Sequence, residues 1–174
     1  MTMIIIPRTQ LLEIWHSINP SVPDDVMLTT AEMEKNPRCR WGEYDLLAER
    51  YEKAQHERAL AEPKDSDWWG AKFKEREDWT SYGAFQMLGI VLRENNIKSF
   101  ITRFDLVKSG ASGYSLLMPL CCWCYSQHMA KLIERHGLPE AFERYNGSGA
   151  AAEAYMQKAI GFRKRIQEEL SVSS

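Results

Sequence analysis

The chain has 174 residues, of which 44% are hydrophobic and 26% charged, and this composition predicts a single folded domain over residues 1–174. The 22 Lys and Arg side chains against 24 Asp and Glu side chains give a formal charge of −2, which argues against a nucleic-acid partner. No apolar run approaches the roughly 18 residues that a membrane-spanning helix needs, so we expect no stable membrane insertion.

The N-terminal residues lack the features of a secretory signal. The apolar run at residues 3–6 is short and no basic residue precedes it, so we expect synthesis in the cytoplasm without a signal peptide. Three of the four cysteines lie within residues 121–124, in an apolar segment, and Cys39 stands apart. That distribution is typical of buried thiols in a reducing compartment and not of a disulfide framework.

Two helices are predicted near the N-terminus. Residues 8–18 have the spacing of a short amphipathic helix, which makes residues 1–20 a helical lead-in. A second helix is predicted over residues 23–34, because proline and acidic residues favour its first turn. It must end before Pro37, since the residue preceding a proline avoids helical angles.

The middle of the chain is more mixed. Residues 43–62 predict a strongly charged helix with a mostly solvated face, and residues 63–79 predict a long connection with one helical piece. Residues 81–95 are apolar with two glycines, where backbone should pack closely, and a further helix is predicted over residues 98–108.

The C-terminal third predicts the core. Residues 114–136 form the best core helix, apolar nearly all round at first and closed by Gly137 and Pro139. A short helix over 139–144 and a last helix over 150–169 follow. Apart from the isoleucines at 3–6, no segment alternates as a strand does, so the predicted fold class is all-α with a central buried helix.

Cofactor and metal motifs are absent from the sequence. It has no phosphate-binding loop, dinucleotide fingerprint or zinc-protease motif, so no cofactor is expected. Cys124 and His128 lie four residues apart and share a helix face, but zinc would need two further placed ligands. We therefore expect no metal, and interpret the cysteines as small buried hydrophobes.

Tryptophans and carboxylates are the remaining candidates. Aromatic rings can stack on the apolar faces of sugars, and four of the six tryptophans fall between residues 41 and 79, although burial is their usual role. Glu32 and Glu34 end the second helix and point to nearly opposite sides at about 100° per residue, so one of them can face a given cleft. Glu32 follows Leu28 by one turn, on an apolar flank that would help a carboxyl group keep its proton.

Two segments carry a family resemblance. Residues 80–89, Thr-Ser-Tyr-Gly-Ala-Phe-Gln-Met-Leu-Gly, resemble the Thr-Ser-Trp-Gly-Leu-Met-Gln-Val-Met-Gly segment of lysozyme-like murein-cleaving domains, the superfamily of soluble lytic transglycosylases and goose-type lysozymes. Residues 141–149 resemble that family's Ala-x-x-x-Tyr-Asn-Gly-Gly-x-Gly element. The helix at 114–136 stands where the family has its central buried helix, and the resemblance spans about residues 22–165. It implies a lysozyme-like helical domain.

The resemblance also implies catalytic positions. The family's catalytic glutamate ends an early helix as Glu-Ser-Gly-x-Asn-Pro, and Glu32 stands five residues before Pro37, with Met33 in place of the serine and Glu34 as the rival acid. Some phage and prophage members carry a second glutamate six residues after that proline, where Glu43 falls, and a long insertion similar to residues 44–79. The implied substrate-binding residues are Ser81, Tyr82, Gln86, Tyr145 and Asn146.

The activity implied is cleavage of the β-1,4 bond between N-acetylmuramic acid and N-acetylglucosamine in peptidoglycan glycan strands. Glu32 would protonate the leaving oxygen, and Glu43 would activate water or stabilise positive charge. Attack by water makes a muramidase, whereas attack by the substrate's own 6-hydroxyl makes a lytic transglycosylase that leaves 1,6-anhydromuramic ends.

The biological setting implied is bacteriophage lysis. A catalytic domain without a signal suits an endolysin that reaches the cell wall in the periplasm after holin-type release, or a virion component. A non-catalytic peptidoglycan-binding or virion structural protein with the same fold is the alternative from another class, and Met33 is the feature that favours it.

Overall fold

The computed structural model describes residues 3–94 and 114–172, and this part of the chain is predominantly helical. The predicted helix over residues 98–108 lies outside the described residues. The α-helices within the described ranges are α1 (Arg8–Ser17), α2 (Asp24–Glu34), α3 (Lys53–Ala61), α4 (Gly89–Glu94), α5 (Tyr114–His136), α6 (Glu140–Asn146) and α7 (Ala150–Val172). The helices predicted over 8–18, 23–34, 114–136, 139–144 and 150–169 are confirmed, with small shifts at their ends.

Two small antiparallel sheets add strands that the all-α prediction lacks. The first pairs β1 (Ile5–Pro7) with β2 (Glu43–Asp45). The second has the order β3-β4-β5, formed by β3 (Glu49–Tyr51), β4 (Thr80–Tyr82) and β5 (Met87–Leu88). In its centre Ser81 pairs with Arg50 on one side and with Leu88 on the other.

The charged helix predicted over residues 43–62 is wrong in its first half. Residues 43–45 and 49–51 are strands, and the helix begins at Lys53. Both strands obtain their backbone hydrogen bonds from distant segments, residues 5–7 and 80–82, so tertiary pairing overrides the helix-forming composition. The predicted connection over 63–79 contains two short 3-10 helices, Trp69–Lys72 and Arg76–Trp79.

The main core surrounds α5. Tyr125 is fully buried on this helix and stacks on Phe85, with ring centroids 4.3 Å apart and planes at 16°. Trp15 of α1 packs on the same tyrosine at 5.9 Å. All four cysteines are buried and free, which confirms the expected burial of the thiols.

The segment between β3 and β4 builds a second, smaller core together with α4, around Ala59, Trp79 and Ile90. His56 of α3 holds the segment together, with Nδ1 2.7 Å from the Tyr51 hydroxyl and Nε2 2.8 Å from the Lys74 carbonyl oxygen. Within the ranges that the structure describes, no helix is both long enough and apolar enough to cross a bilayer.

Candidate functional site

A cavity of about 490 Å³ lies where the end of α2 meets the three-stranded sheet and helices α5 and α6. This volume is within the range of small-molecule sites. Several elements contribute lining residues: α2 ends at the cavity with Glu34, β3 and β4 present Arg50 and Ser81, and α5 and α6 present residues that include His128 and Tyr145. Side chains from distant parts of the chain therefore converge on one concave surface.

Glu34 is the buried acid of this cavity. Its side chain is only 7% exposed although it ends a helix, and this burial raises the pKa of its carboxyl group above the usual value. The neighbouring Tyr155 hydroxyl and the Arg50 guanidinium lower that pKa again, and the charge of Glu52 raises it. The net effect is a pKa above the ordinary value for a glutamate, so Glu34 holds its proton to a higher pH than a solvent-exposed glutamate does.

Arg50 lies between two carboxylates. Its Nη1 atom is 3.8 Å from Oε2 of Glu34, and its Nε donates to Oε1 of Glu52 at 2.6 Å. The backbone N–H of Glu52 donates to the carbonyl oxygen of Trp79 at 2.7 Å, which fixes the start of α3 against the sheet. The wall near Glu34 thus contains a second carboxylate, separated from the first by a guanidinium.

The turn between β4 and β5 forms another wall. Gly83 has φ +75°, and Gln86 adopts φ +46°, a conformation that costs energy for a residue with a side chain. Nε2 of Gln86 donates to the carbonyl oxygen of Gly83 at 3.0 Å, and the Tyr145 hydroxyl donates to the carbonyl oxygen of Phe85 at 2.5 Å. The turn is therefore held from within and from α6.

Glu32 lies on the other side of α2. Its side chain is fully buried, and Oε1 accepts from the Gly42 N–H at 2.7 Å and from the Tyr44 hydroxyl at 3.0 Å. Nη2 of Arg8 is 3.4 Å from Oε1, and Nζ of Lys35 is 2.8 Å from Oε2. Glu32 therefore anchors β2 and the start of α1 to α2 through a buried network of ion pairs and hydrogen bonds.

The structure brings together most, but not all, of the residues that the sequence predicts for the site. Four of the predicted binding residues line the cavity together with Glu34: Ser81, Gln86, Tyr145 and Asn146. Tyr82 alternates with Ser81 along β4 and so faces the main core, where it is 4% exposed. Glu43 starts β2, and its carboxylate accepts from the Arg40 N–H at 3.0 Å, outside the lining of the cavity.

Several further lining residues were not predicted from the sequence, among them the polar or charged Arg50, Glu52, Gln55 and His128. The sequence analysis assigned Arg50, Glu52 and Gln55 to the solvated face of a helix. Their place in the cavity depends on a strand at residues 49–51, which was not predicted. His128 was considered only as a metal ligand. Its burial and the nearby Lys131 lower its pKa to about 4, so a neutral imidazole faces the cavity near pH 7.

Metal ligation finds no support in the side-chain geometry. The Cys124 thiol donates to the carbonyl oxygen of Leu120 one turn earlier, at 2.8 Å. Across residues 3–94 and 114–172, no three His, Cys, Asp or Glu side chains are grouped as metal ligands would be.

Chemically, the cavity offers a carboxyl group with a raised pKa, a second carboxyl group, amide side chains and aromatic side chains. This combination can bind a polar, ring-shaped ligand and donate a proton to it. No protein-family model, curated protein or solved structure matches the chain.

Proposed function

We propose that this protein cleaves the β-1,4 bond between N-acetylmuramic acid and N-acetylglucosamine in peptidoglycan, with Glu34 as the general acid. The observation that carries the proposal is the buried Glu34 carboxyl group, whose pKa is raised by that burial, in a cavity that Ser81, Gln86 and Tyr145 also line. A glycosidic oxygen needs such an acid, because it leaves readily only after protonation. The Ser-Tyr-Gly-x-x-Gln and Tyr-Asn-Gly resemblances supply the substrate class.

Glu34 takes the role that the resemblance gave to Glu32. The spacing to Pro37 favours Glu32, but that side chain is enclosed by Arg8, Lys35 and Tyr44 and contributes nothing to the cavity surface. Glu34 is two residues closer to Pro37 and lies at the helix end that opens on the cavity. One helix thus carries a structural glutamate and a proton donor on its two faces.

Glu52 takes the part of the second carboxylate that the sequence gave to Glu43. It lies across the Arg50 guanidinium from Glu34, whereas Glu43 belongs to the other sheet. A carboxylate set apart from the acid suits activation of a water molecule, as in inverting hydrolysis. We therefore favour hydrolysis as the reaction, with transglycosylation by the substrate's 6-hydroxyl as the alternative.

The proposed setting is phage-mediated lysis of a bacterial host. The protein would be made in the cytoplasm, reach the periplasm through a holin-type lesion or as part of a virion, and act on glycan strands there. The rival from another class, a wall-binding or structural protein with no activity, would have no need for a buried glutamate with a raised pKa in its cavity.

Digestion of purified peptidoglycan tests the proposal. Wild type, Glu34→Gln and Glu32→Gln would be compared, and the released muropeptides separated by chromatography and identified by mass. We expect reducing muramic ends from wild type and from folded Glu32→Gln, and at least about a 100-fold loss with Glu34→Gln. Anhydro ends would make the protein a lytic transglycosylase, and no release from any wall type by wild type would overturn the proposal.

A further inference from the structure

An exposed tryptophan stands beside the cavity. Trp69 is 56% exposed, whereas the neighbouring Trp79 is only 2% exposed. The two rings have centroids 6.0 Å apart at an angle of 35°, and Trp79 itself lines the cavity. Trp79 therefore lies between the cavity, which it lines, and the exposed ring of Trp69, which it contacts.

The rings beneath Trp69 are firmly held. Trp68 stacks on Trp79 with centroids 5.6 Å apart and planes at 23°, and the indole N–H of Trp79 donates to the carbonyl oxygen of Phe73 at 2.9 Å. The Arg58 guanidinium covers Trp68 at 4.1 Å from its ring centroid.

Gly70 makes this packing possible. A Cβ atom at this position would lie 2.6 Å from a ring carbon of Trp68 and 2.8 Å from a ring carbon of Trp79. The backbone after Trp69 therefore touches both rings, and this contact fixes the position from which the Trp69 side chain projects. An aromatic side chain that is fixed in place loses little conformational entropy when it binds a ligand.

We propose that Trp69 is a second saccharide-binding position, on which a sugar ring of the glycan strand stacks where the strand leaves the cavity. This inference rests on the proposed function, because continuity with the Trp79 wall identifies the occupant as the same polymer that enters the cavity. The axial C–H groups of a pyranose form an apolar face that matches an exposed indole in area. A long strand would contact both the cavity and Trp69, and a short fragment would contact the cavity alone.

The test measures binding of two peptide-free peptidoglycan fragments, a disaccharide and an octasaccharide. Calorimetric titrations would use Glu34→Gln as the parent, so that cleavage does not consume the ligand. Adding Trp69→Ala should weaken octasaccharide binding about tenfold and leave disaccharide binding unchanged, whereas Trp69→Phe should recover most of the loss. Trp123→Ala is the matched control, since Trp123 is also exposed, at 41%, but projects from α5.

The possible outcomes separate the two proposals. Equal octasaccharide affinity with and without Trp69 would overturn the second binding position and leave the proposed function intact. Loss of disaccharide binding in the Trp69→Ala protein would also overturn it, because the ring would then support the cavity instead of contacting the strand. Failure of the parent protein to bind either fragment, with wild type also inactive on peptidoglycan, would overturn the proposed function itself.

Discussion

Two glutamates of one helix, Glu32 and Glu34, have opposite surroundings. Glu32 is enclosed by two cations and two neutral donors, whereas Glu34 is buried with its nearest cation 3.8 Å away. Close cations and hydrogen-bond donors offset the cost of burying a carboxylate, whereas a buried carboxylate whose cation is farther away costs stability when it ionises. The two positions should therefore respond in opposite ways to the same substitution.

Glu34→Gln should leave the protein at least as stable as wild type at pH 7, and Glu32→Gln should lower the free energy of unfolding by roughly 2–4 kcal/mol. Because burial raises the pKa of Glu34 in the folded state, the folded protein binds its proton more tightly than the unfolded chain does. The free-energy cost of ionising Glu34 in the folded protein therefore grows as the pH rises above about 4.5. Urea unfolding at pH 4 and pH 7 checks both variants. A destabilised Glu34→Gln protein would contradict this account.

The pH profile of cleavage should respond to Arg50. In the proposed reaction Glu34 acts in its protonated form, so activity should decline as the pH rises through the pKa of that group. Since Arg50 lowers this pKa, Arg50→Met should move the alkaline limb of kcat/KM to higher pH. Arg144→Met, which changes another cation of the cavity wall, is the control and should leave the limb in place. A limb that moves to lower pH would show that Glu34 is not the titrating acid.

At the scale of elements, the turn between β4 and β5 positions one wall of the cavity, and it depends on a backbone conformation at Gly83 that favours glycine. Gly83 has positive φ, and a Cβ atom there would lie 3.0 Å from the Sγ atom of Cys121 on α5. This contact explains why the strand pair can approach the central helix so closely. The strained Gln86 follows in the same turn and is held by its own bond to Gly83.

Gly83→Ala should destabilise the protein by about 1–3 kcal/mol, because it adds both backbone strain and a steric contact with Cys121. Gly161→Ala is the matched control. Gly161 lies inside α7 with nothing within 4 Å of the added Cβ, so the substitution should stabilise the protein by roughly 0.5–1 kcal/mol. Thermal unfolding of the two variants checks the contrast. Equal effects would mean that the left-handed geometry of the turn is unimportant.

Most of the helices could be predicted from the sequence, whereas strands β2 to β5 could not. Pro23, Pro37 and Pro139 mark helix boundaries through backbone restrictions that act locally, and α2, α5 and α6 begin or end close to them. Strands β2 to β5 are two or three residues long, which is too short to show alternation, and their partners are distant in sequence. Arg50 and Glu52 could not be predicted as cavity residues for the same reason, since their place in the cavity depends on the pairing of the short strand β3 with the distant β4.

At the scale of the whole molecule, an ionic network joins the two ends of the described chain. Arg8, at the start of α1, donates to Oε2 of Glu169 near the end of α7 at 2.5 Å, and the same arginine contacts Glu32. The indole N–H of Trp41 donates to Glu169 at 3.1 Å, and the Arg165 guanidinium lies 3.9 Å from the ring centroid of Trp41. Helices α1, α2 and α7 are thereby held around one tryptophan.

Glu169→Gln should destabilise the protein by about 1 kcal/mol near pH 7, a modest value because the carboxylate is partly exposed. Burial acts against ionisation of Glu169, but hydrogen bonds from Arg8, Trp41 and Arg165 outweigh it and hold the pKa at about 2, below the ordinary 4.5. The stabilisation is therefore complete above about pH 4.5 and is lost as the pH falls towards 2. Urea unfolding of both proteins across this range checks the prediction. A difference that persists unchanged at pH 2 would contradict it.

The buried thiols of α5 have a consequence for how the protein can be observed. Burial raises the pKa of Cys121 to about 12 and raises that of Cys122 as well, so neither forms the reactive thiolate in the folded protein. An alkylating reagent can modify them only when the core around Tyr125 opens. The rate of alkylation at low denaturant concentration thus reports how often the core around the central helix opens. In an oxidising environment, the same burial should keep these thiols reduced for as long as the protein stays folded.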